Sequence, residues 1–140
     1  MAKATAGCYS SGLAATCPFC NVGADRIWIE NHHAIAFPDA FPVTEGHMLI
    51  VPRKHVSSAY ELEMHEQQAI WKLVAEVRQR LLTGLKPPDG FNIGFNDGLA
   101  AGQTVQHAHV HIIPRNHGDV PDPRGGIRWV VADNAPYWNK

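Results

Sequence analysis

Three histidines alternate with apolar residues in the segment His107-Ala-His-Val-His111. Alternate side chains of a β-strand point to the same face, roughly 6 to 7 Å apart, so an extended backbone places the three imidazoles in one row. The apolar side chains between them then face the opposite side. An unprotonated imidazole nitrogen is a competent nucleophile near neutral pH, because the ordinary pKa of histidine is about 6.5. The segment therefore predicts a reactive row of histidines on one face of a strand.

A loop rich in hydrogen-bond donors precedes this segment. The stretch Asn96-Asp-Gly-Leu-Ala-Ala-Gly-Gln-Thr104 contains two glycines, which permit tight backbone turns, and polar side chains that can donate to phosphate oxygens. Transfer at phosphorus depends on a positioned nucleophile and on donors placed where charge develops. The loop and the histidine row together predict an enzyme that acts on a phosphorus-containing substrate.

Cys17 and Cys20 have the Cys-x-x-Cys spacing of a zinc knuckle. A complete tetrahedral site needs two further ligands, which must come from elsewhere in the chain. The chain has three cysteines, and this odd number argues against a disulfide framework and for a reducing compartment. From the spacing alone two interpretations stay open, a metal site and a pair of thiols without metal. A thioredoxin-like redox pair is disfavoured, because no strand precedes the cysteines.

The length and charge of the chain exclude several classes of protein. Its 140 residues suffice for one domain, and we expect a flexible tail over residues 1–15, which includes Cys8, followed by a single domain over residues 16–140. Lys and Arg total 12 against 13 Asp and Glu, so neither a nucleic acid nor a membrane surface is an expected partner. No segment approaches the roughly 18 apolar residues of a membrane span. We expect a cytoplasmic protein.

Hydrophobic patterning predicts five short strands and one long helix. The expected strands are Arg26–Glu30, Ala34–Phe37, Gly46–Val51, Phe91–Phe95 and His107–Ile113, with one further short strand at Ile127–Val131. A capping-box pattern begins at Ser58, and helical spacing of apolar residues continues to Leu81. These elements predict an α+β fold, in which the helix packs on one face of a mainly antiparallel sheet.

Two separated motifs resemble those of a known family. The stretch Gly102–Arg115 resembles the signature of the histidine triad (HIT) superfamily, in which three histidines alternate with apolar residues. Phe37-Pro-Asp39, followed by Gly46–His55, is similar to the other signature of that family. The resemblance covers roughly residues 15 to 128 and is specific, because both motifs agree in content and order. It implies a HIT-like fold, a purine nucleotide substrate, a homodimer and no organic cofactor.

The resemblance also implies catalytic and binding residues. His109 would be the nucleophile that takes up a nucleoside monophosphoryl group, His111 would donate a hydrogen bond to the phosphate, and His47 would support the same site. The residues implied to bind the base, the ribose and the phosphates are Phe37, Asp39, Leu49, Asn96, Gly102, Gln103 and Thr104. Among these, Asp39 matches the acidic residue that contacts ribose hydroxyls.

In the zinc-binding branch of the family, the cysteine pair is joined by two histidines. One follows the second motif and the other is the first histidine of the triad, and these positions are His55 and His107 here. The resemblance thus implies a structural zinc ion held by Cys17, Cys20, His55 and His107.

The favoured function is hydrolysis at the α-phosphate of a purine nucleotide derivative through an intermediate on His109. The flanks of the triad look more like bacterial hydrolases of dinucleoside polyphosphates, such as diadenosine tetraphosphate, than the phosphoramidase branch, which tends to carry serine at position 104. A purine nucleoside phosphoramidase is the alternative. More distant alternatives are a nucleotide-binding module without turnover, and a metallohydrolase in which the three histidines of the triad bind one metal ion.

Overall fold

The structure is a computed structural model that describes residues 16–140. Five strands form one antiparallel sheet in the order β1-β2-β3-β5-β4. The elements are β1 (Ile29–Glu30), β2 (Ala34–Pro38), β3 (Met48–Pro52), α1 (Met64–Leu82), β4 (Gly90–Gly94) and β5 (Val110–Arg115). The predicted α+β fold is confirmed. The tail predicted for residues 1–15, with Cys8, lies outside the described residues. Within 16–140, no helix is both long and apolar enough to cross a membrane.

The main core lies between α1 and one face of the sheet. The predicted apolar stripe of the helix, which includes Ile70, Leu73 and Val77, is buried against side chains such as Ile50 and Ile112. Burying a side chain of this size contributes about 1.5 to 3 kcal/mol. All five residues of β3 are buried, which agrees with the continuous apolar run expected for a strand covered on both faces.

A second, smaller core covers the opposite face of the sheet. Ile35, Phe37, Leu49 and Val51 pack there with Val22 from the segment before β1. Strand pairing places Phe37 opposite Leu49, and Leu49 opposite His111. These three side chains therefore form one row across β2, β3 and β5, on the face turned away from α1.

Several boundaries differ from the predicted ones; the first strand, for example, is only Ile29–Glu30, because Ala24–Arg26 forms a 3-10 turn. The Ser58 capping box is present, but it closes a short 3-10 turn at Ala59–Glu61, and α1 begins at Met64 with a second box between Glu63 and Glu66. The ladder of β5 begins at Val110, so His107 and His109 precede it. Their backbone is nevertheless held in place, because the Ala108 N–H donates to the Val56 carbonyl at 2.7 Å.

The strand predicted at Ile127–Val131 is wrong. The chain forms a 3-10 segment over Gly126–Asn134, which we call the C-terminal segment. It follows a turn in which Gly125 and Gly126 have φ of 94° and 48°, values that favour glycine. The Arg128 side chain donates to the carbonyls of Ala135 and Asn134, so these two carbonyls at the end of the segment are satisfied without a neighbouring strand.

Candidate active site

The row formed by Phe37, Leu49 and His111 leads into a cavity of about 470 Å³, which we call the first cavity. This volume lies within the range of about 300 to 1,000 Å³ that is usual for small-molecule sites. Most of the residues predicted to act on or bind a substrate line it. They are Phe37, Asp39, His47, Leu49, Asn96, Gly102, Thr104, His109 and His111.

The ring of His109 is oriented by the backbone of the residue two positions before it. Its Nδ1 lies 2.8 Å from the His107 carbonyl oxygen. A carbonyl can only accept, so Nδ1 carries the proton and Nε2 of the neutral ring carries a lone pair. The ring is 9% exposed and borders the first cavity. One hydrogen bond thus defines which nitrogen of His109 carries the lone pair.

A chain of hydrogen bonds defines the tautomer of His111. The Val43 N–H donates to Nδ1 of His47 at 3.1 Å, so the proton of neutral His47 lies on Nε2. That nitrogen is 2.9 Å from Nδ1 of His111, to which it donates. The proton of His111 consequently lies on Nε2, so this imidazole can donate a hydrogen bond to a phosphate oxygen.

Burial keeps both of these imidazoles neutral. Burial, with smaller contributions from His109 and His47 and against the attraction of Asp39, lowers the pKa of His111 to about 4. Burial also lowers the pKa of His47, against the opposing attraction of the Asp39 carboxylate. Asp39 lies 3.4 Å from Nε2 of His47 and accepts a hydrogen bond from the Phe41 N–H at 2.9 Å. At neutral pH, His111 is therefore a neutral donor.

The loop before the triad is closed by glycines and by one buried side chain. Gly98 and Gly102 have φ of 99° and 95°, in agreement with the tight turns predicted there. Gln103 is 3% exposed, accepts from the Gly98 N–H and donates to the carbonyls of Ser57 and Val105. Both of its donor hydrogens are engaged, so in this structure the Gln103 side chain orders the loop. Its contact with phosphate stays a prediction.

The four residues predicted to bind metal meet in one cluster. Atoms Sγ of Cys17, Sγ of Cys20, and Nδ1 of His55 and His107 all fit within 4.8 Å of one another. Nδ1 of His107 lies 3.5 Å from each sulfur atom and 3.2 Å from Nδ1 of His55, which itself lies 3.1 Å from the Cys20 sulfur. A tetrahedral zinc ion with bonds of about 2.0 to 2.3 Å separates its ligands by roughly 3.3 to 3.8 Å. These separations fit a zinc ion held by a reduced Cys20, whereas in this structure the Cys20 sulfur is in a disulfide bond.

His107 connects this cluster to the nucleophile. Its Nε2 donates to the Pro52 carbonyl at 2.8 Å, which leaves Nδ1 as the nitrogen that faces the cysteines. Burial, more than any other effect, lowers the pKa of His107 to about 4, so the ring is neutral. Because His107 faces the cysteines and His111 faces His47, the arrangement does not fit the alternative in which one metal ion binds all three histidines of the triad.

Seven residues that line the first cavity were not predicted, and three of them contact or orient predicted site residues as follows. Phe19 packs against His109 with 4.9 Å between ring centroids, and Arg26 lies over the Phe37 ring at 5.5 Å. Val43 lines the cavity and orients His47 through its backbone. Phe19 could have been found, because the cysteines on either side of it fix a short turn. No motif or spacing in the sequence marks Arg26 or Val43 as site residues.

The fold and the site together define a class of protein, an α+β domain in which histidines on and beside strands β3 and β5 face a small-molecule cavity. The model of the HIT domain family matches residues 22–118, and the chain belongs to this family. Its structure is similar to the crystal structure of a HIT family member from Bacillus subtilis. The TM-score is 0.67 at 32% identity, over 74% of this chain and 77% of the other.

Two relatives from Schizosaccharomyces pombe carry names that state an activity. One is an asymmetrical bis(5'-nucleosyl)-tetraphosphatase, 38% identical over 67% of this chain and 51% of its own length. The other is an adenosine 5'-monophosphoramidase, 32% identical over 71% of this chain and 74% of its own length. The chain is thus similar to proteins named for both chemistries that the sequence suggested.

Proposed function

We propose that this protein is a nucleotide hydrolase that cleaves at the α-phosphate of a purine nucleotide derivative through a nucleotidyl intermediate on His109. The observation that carries the proposal is that two neighbouring neutral imidazoles carry their protons on different nitrogens. His109 presents a lone pair to the first cavity and His111 presents an N–H donor to it. Transfer at phosphorus through histidine uses the lone pair of one ring nitrogen as the nucleophile and a hydrogen-bond donor beside it.

The reaction would proceed in two displacements. Nε2 of His109 attacks the α-phosphorus, a P–N bond forms, and the bond to the leaving group breaks with its electron pair on the leaving group. The Nδ1 proton stays on the ring, where the His107 carbonyl stabilises the positive charge. Water then attacks the same phosphorus and loses a proton, the P–N bond breaks, and neutral His109 and a nucleoside monophosphate are released. His111 donates to a phosphate oxygen in both steps.

The walls of the first cavity suit a nucleotide. Phe37 and Leu49 provide an apolar surface for a base, and the Asp39 carboxylate lies where ribose hydroxyls can donate to it. Asn96, Gly102 and Thr104 approach from the loop before the triad and supply contacts for phosphates. A dinucleoside polyphosphate such as diadenosine tetraphosphate is the favoured substrate class, and a purine nucleoside phosphoramidate is the alternative. The relative named as a tetraphosphatase supports the first class, and the relative named as a monophosphoramidase supports the second.

The His109→Ala variant tests the mechanism. We expect it to lose turnover of diadenosine tetraphosphate and of adenosine phosphoramidate and to retain nucleotide binding. Intact mass spectrometry of the wild-type protein after a short reaction should show a nucleotidyl adduct that the variant does not form. His117→Ala, at an exposed histidine, is the matched control. Unchanged turnover in His109→Ala refutes the mechanism, and binding without turnover by the wild-type protein supports the binding-module alternative.

We also propose that Cys17, Cys20, His55 and His107 hold one structural zinc ion. The ion would join the segment before β1 to the chain that carries the triad. The separations of the four ligand atoms support this. Elemental analysis of protein purified without added metal should give about one zinc per chain. Cys17→Ser should lose both the metal and thermal stability. Full zinc content in that variant, or a disulfide involving Cys20 in the purified protein, contradicts the ligand set.

Finally, we propose that the protein is a homodimer. Strand β4 is an edge of the sheet, and each of its five residues is partly exposed. An unpaired edge can pair with its copy across a two-fold axis, which joins the two sheets. The molar mass in solution at micromolar concentration should be twice that of the 15.4 kDa chain. A monomer at that concentration contradicts the proposal.

A further inference from the structure

Histidines outside the triad meet at the start of α1. His33 lies in the turn between β1 and β2, and His65 is in the first turn of α1. Their ring centroids are 5.0 Å apart, and the ring of His32 lies 4.8 Å from that of His33. Three imidazoles from two separate parts of the chain therefore form one group, which we call the histidine cluster.

Glu66 adds a carboxylate to the histidine cluster. Its side chain is buried, and one of its oxygens fits within 4.8 Å of ring nitrogens of His33 and His65. Two imidazole nitrogens and one carboxylate oxygen are the ligand set of zinc sites that keep one position open. A cavity of about 180 Å³ beside His33 and Glu66 has room for water in that position, and it shares no lining residue with the first cavity.

In this structure Lys54 is the cation that neutralises Glu66. Its Nζ lies 2.5 Å from Oε1 of the carboxylate, whose Oε2 accepts from the Glu63 N–H at 3.1 Å. A buried carboxylate needs a positive partner, because burial removes the water that would otherwise solvate its charge. The Lys54 side chain is 47% exposed, so its ammonium group can return to water when another cation takes its place. The carboxylate is therefore a preformed cation site, occupied by a side chain that an ion can replace.

The two imidazoles combine a fixed ligand with an adjustable one. The backbone of His33 is held in place, because its N–H donates to Oδ1 of Asn31 at 3.0 Å and its carbonyl accepts from the Arg53 N–H at 2.8 Å. The His65 side chain is 58% exposed, and its ion pair with Glu63 lies at the surface, so this ring can rotate. Tetrahedral zinc separates nitrogen and oxygen ligands by roughly 3.3 to 3.6 Å, so a small rotation of His65 completes the geometry.

We propose that His33, His65 and Glu66 form a second metal site, which takes one divalent transition-metal ion such as zinc. The ion replaces Lys54 at the carboxylate, and water fills the remaining position. Imidazole ligands favour zinc over magnesium and calcium, which prefer sites made of oxygen ligands. The site lies outside the machinery of the proposed function and does not depend on it. An ion bound here would join the turn before β2 to the start of α1.

Calorimetric titration of zinc into the full-length, untagged protein measures this site. We expect one zinc ion per chain to bind beyond any that remains after dialysis. His33→Phe keeps a ring against the neighbouring imidazoles but removes a ligand, and it should weaken binding at least about tenfold, as should His65→Ala. Lys54→Met should bind zinc severalfold more tightly, because the competing cation is gone. His117→Ala, at an exposed histidine outside the cluster, is the control and should leave binding unchanged.

Titration with cobalt distinguishes this site from the cysteine cluster. Thiolate ligands give cobalt sulfur-to-metal charge-transfer bands, which imidazole and carboxylate ligands cannot produce, so the additional ion should bind without these bands. The proposal is overturned if the wild-type protein binds no additional ion, or if His33→Phe and His65→Ala, shown to be folded by thermal unfolding, bind it equally well. Weaker binding in Lys54→Met also contradicts it, because the lysine would then support the ion. An equal loss in His117→Ala would assign the binding to surface histidines in general.

Discussion

His47 defines which nitrogen of His111 carries the proton, and His47→Phe tests that role. Phenylalanine keeps the shape of the ring at a position that is 3% exposed, so the packing of the site is conserved. The substitution removes the acceptor of the Val43 N–H and the donor to Nδ1 of His111. The half-buried His111 ring loses its partner at a cost of about 1 to 3 kcal/mol, whereas the N–H of the exposed Val43 can bond to water instead. The free energy of unfolding should therefore fall by about 1 to 3 kcal/mol.

The loss of kcat in His47→Phe should not exceed the loss in His111→Phe, because His47 acts through His111. Loss of one donor to a phosphoryl oxygen typically lowers kcat by about 10²- to 10³-fold, and His111→Phe should fall in this range. His47→Phe should approach the same loss, because His111 is then free to place its proton on the buried nitrogen. Nucleotide affinity should change less than kcat, since the donor acts mainly where charge develops.

A double-mutant cycle on kcat separates this account from a general disturbance of the site. If His47 acts through His111, the added cost of His47→Phe in the His111→Phe background should be small. His47→Gln, which retains a polar side chain near Val43, offers a milder variant whose stability loss is smaller. The reasoning is refuted if the two single losses multiply in the double variant, since independent effects would give that result.

Three further predictions concern stability and the surroundings of the nucleophile. Burial lowers the pKa of His111 to about 4 in the folded protein, whereas the same ring in the unfolded chain takes up a proton near pH 6.5. The free energy of unfolding is therefore highest above pH 6.5 and falls as the pH is lowered towards 4. From pH 7 to pH 5 the free energy of unfolding measured in urea should therefore fall, and an equal pH dependence in His111→Phe would contradict this. Gln103→Leu should lower Tm and raise KM more than it lowers kcat, because the loop before the triad loses three hydrogen bonds; an unchanged Tm would show that these bonds contribute nothing. Phe19→Ala should lower kcat about 2- to 10-fold at unchanged zinc content, and a loss of zinc would instead mean that the ring stabilises the metal cluster.

The parts of the fold that the sequence predicted are those governed by side-chain periodicity. The alternation in β5 and the continuous apolar run of β3 follow from which faces are buried, and the stripe from Ile70 to Val77 follows from packing on one face of the sheet. The candidate site followed in the same way. Once His107, His109 and His111 alternate beside a glycine loop, their common face and the adjoining cavity are largely determined.

The errors lie where a local pattern allows two structures. A capping box stabilises a 3-10 turn as well as an α-helix, so Ser58 could not fix the start of α1. The stretch from Ile127 to Val131 resembles a strand in its residue types, but its backbone forms 3-10 turns, and the pattern of apolar residues does not distinguish the two. The direction of the Gln103 side chain depends on the distant Ser57 carbonyl, which no sequence pattern specifies.

His107 serves two neighbours through chemically different groups. Its ring faces the cysteines, whereas its main-chain oxygen holds the ring of His109. Every amino acid has that oxygen. The orientation of the His109 ring therefore does not depend on which residue occupies position 107, as long as the backbone conformation there is unchanged. The two sites can therefore diverge separately: a descendant of this chain that replaced its cysteines and this imidazole would lose the metal cluster and still keep a correctly directed nucleophile.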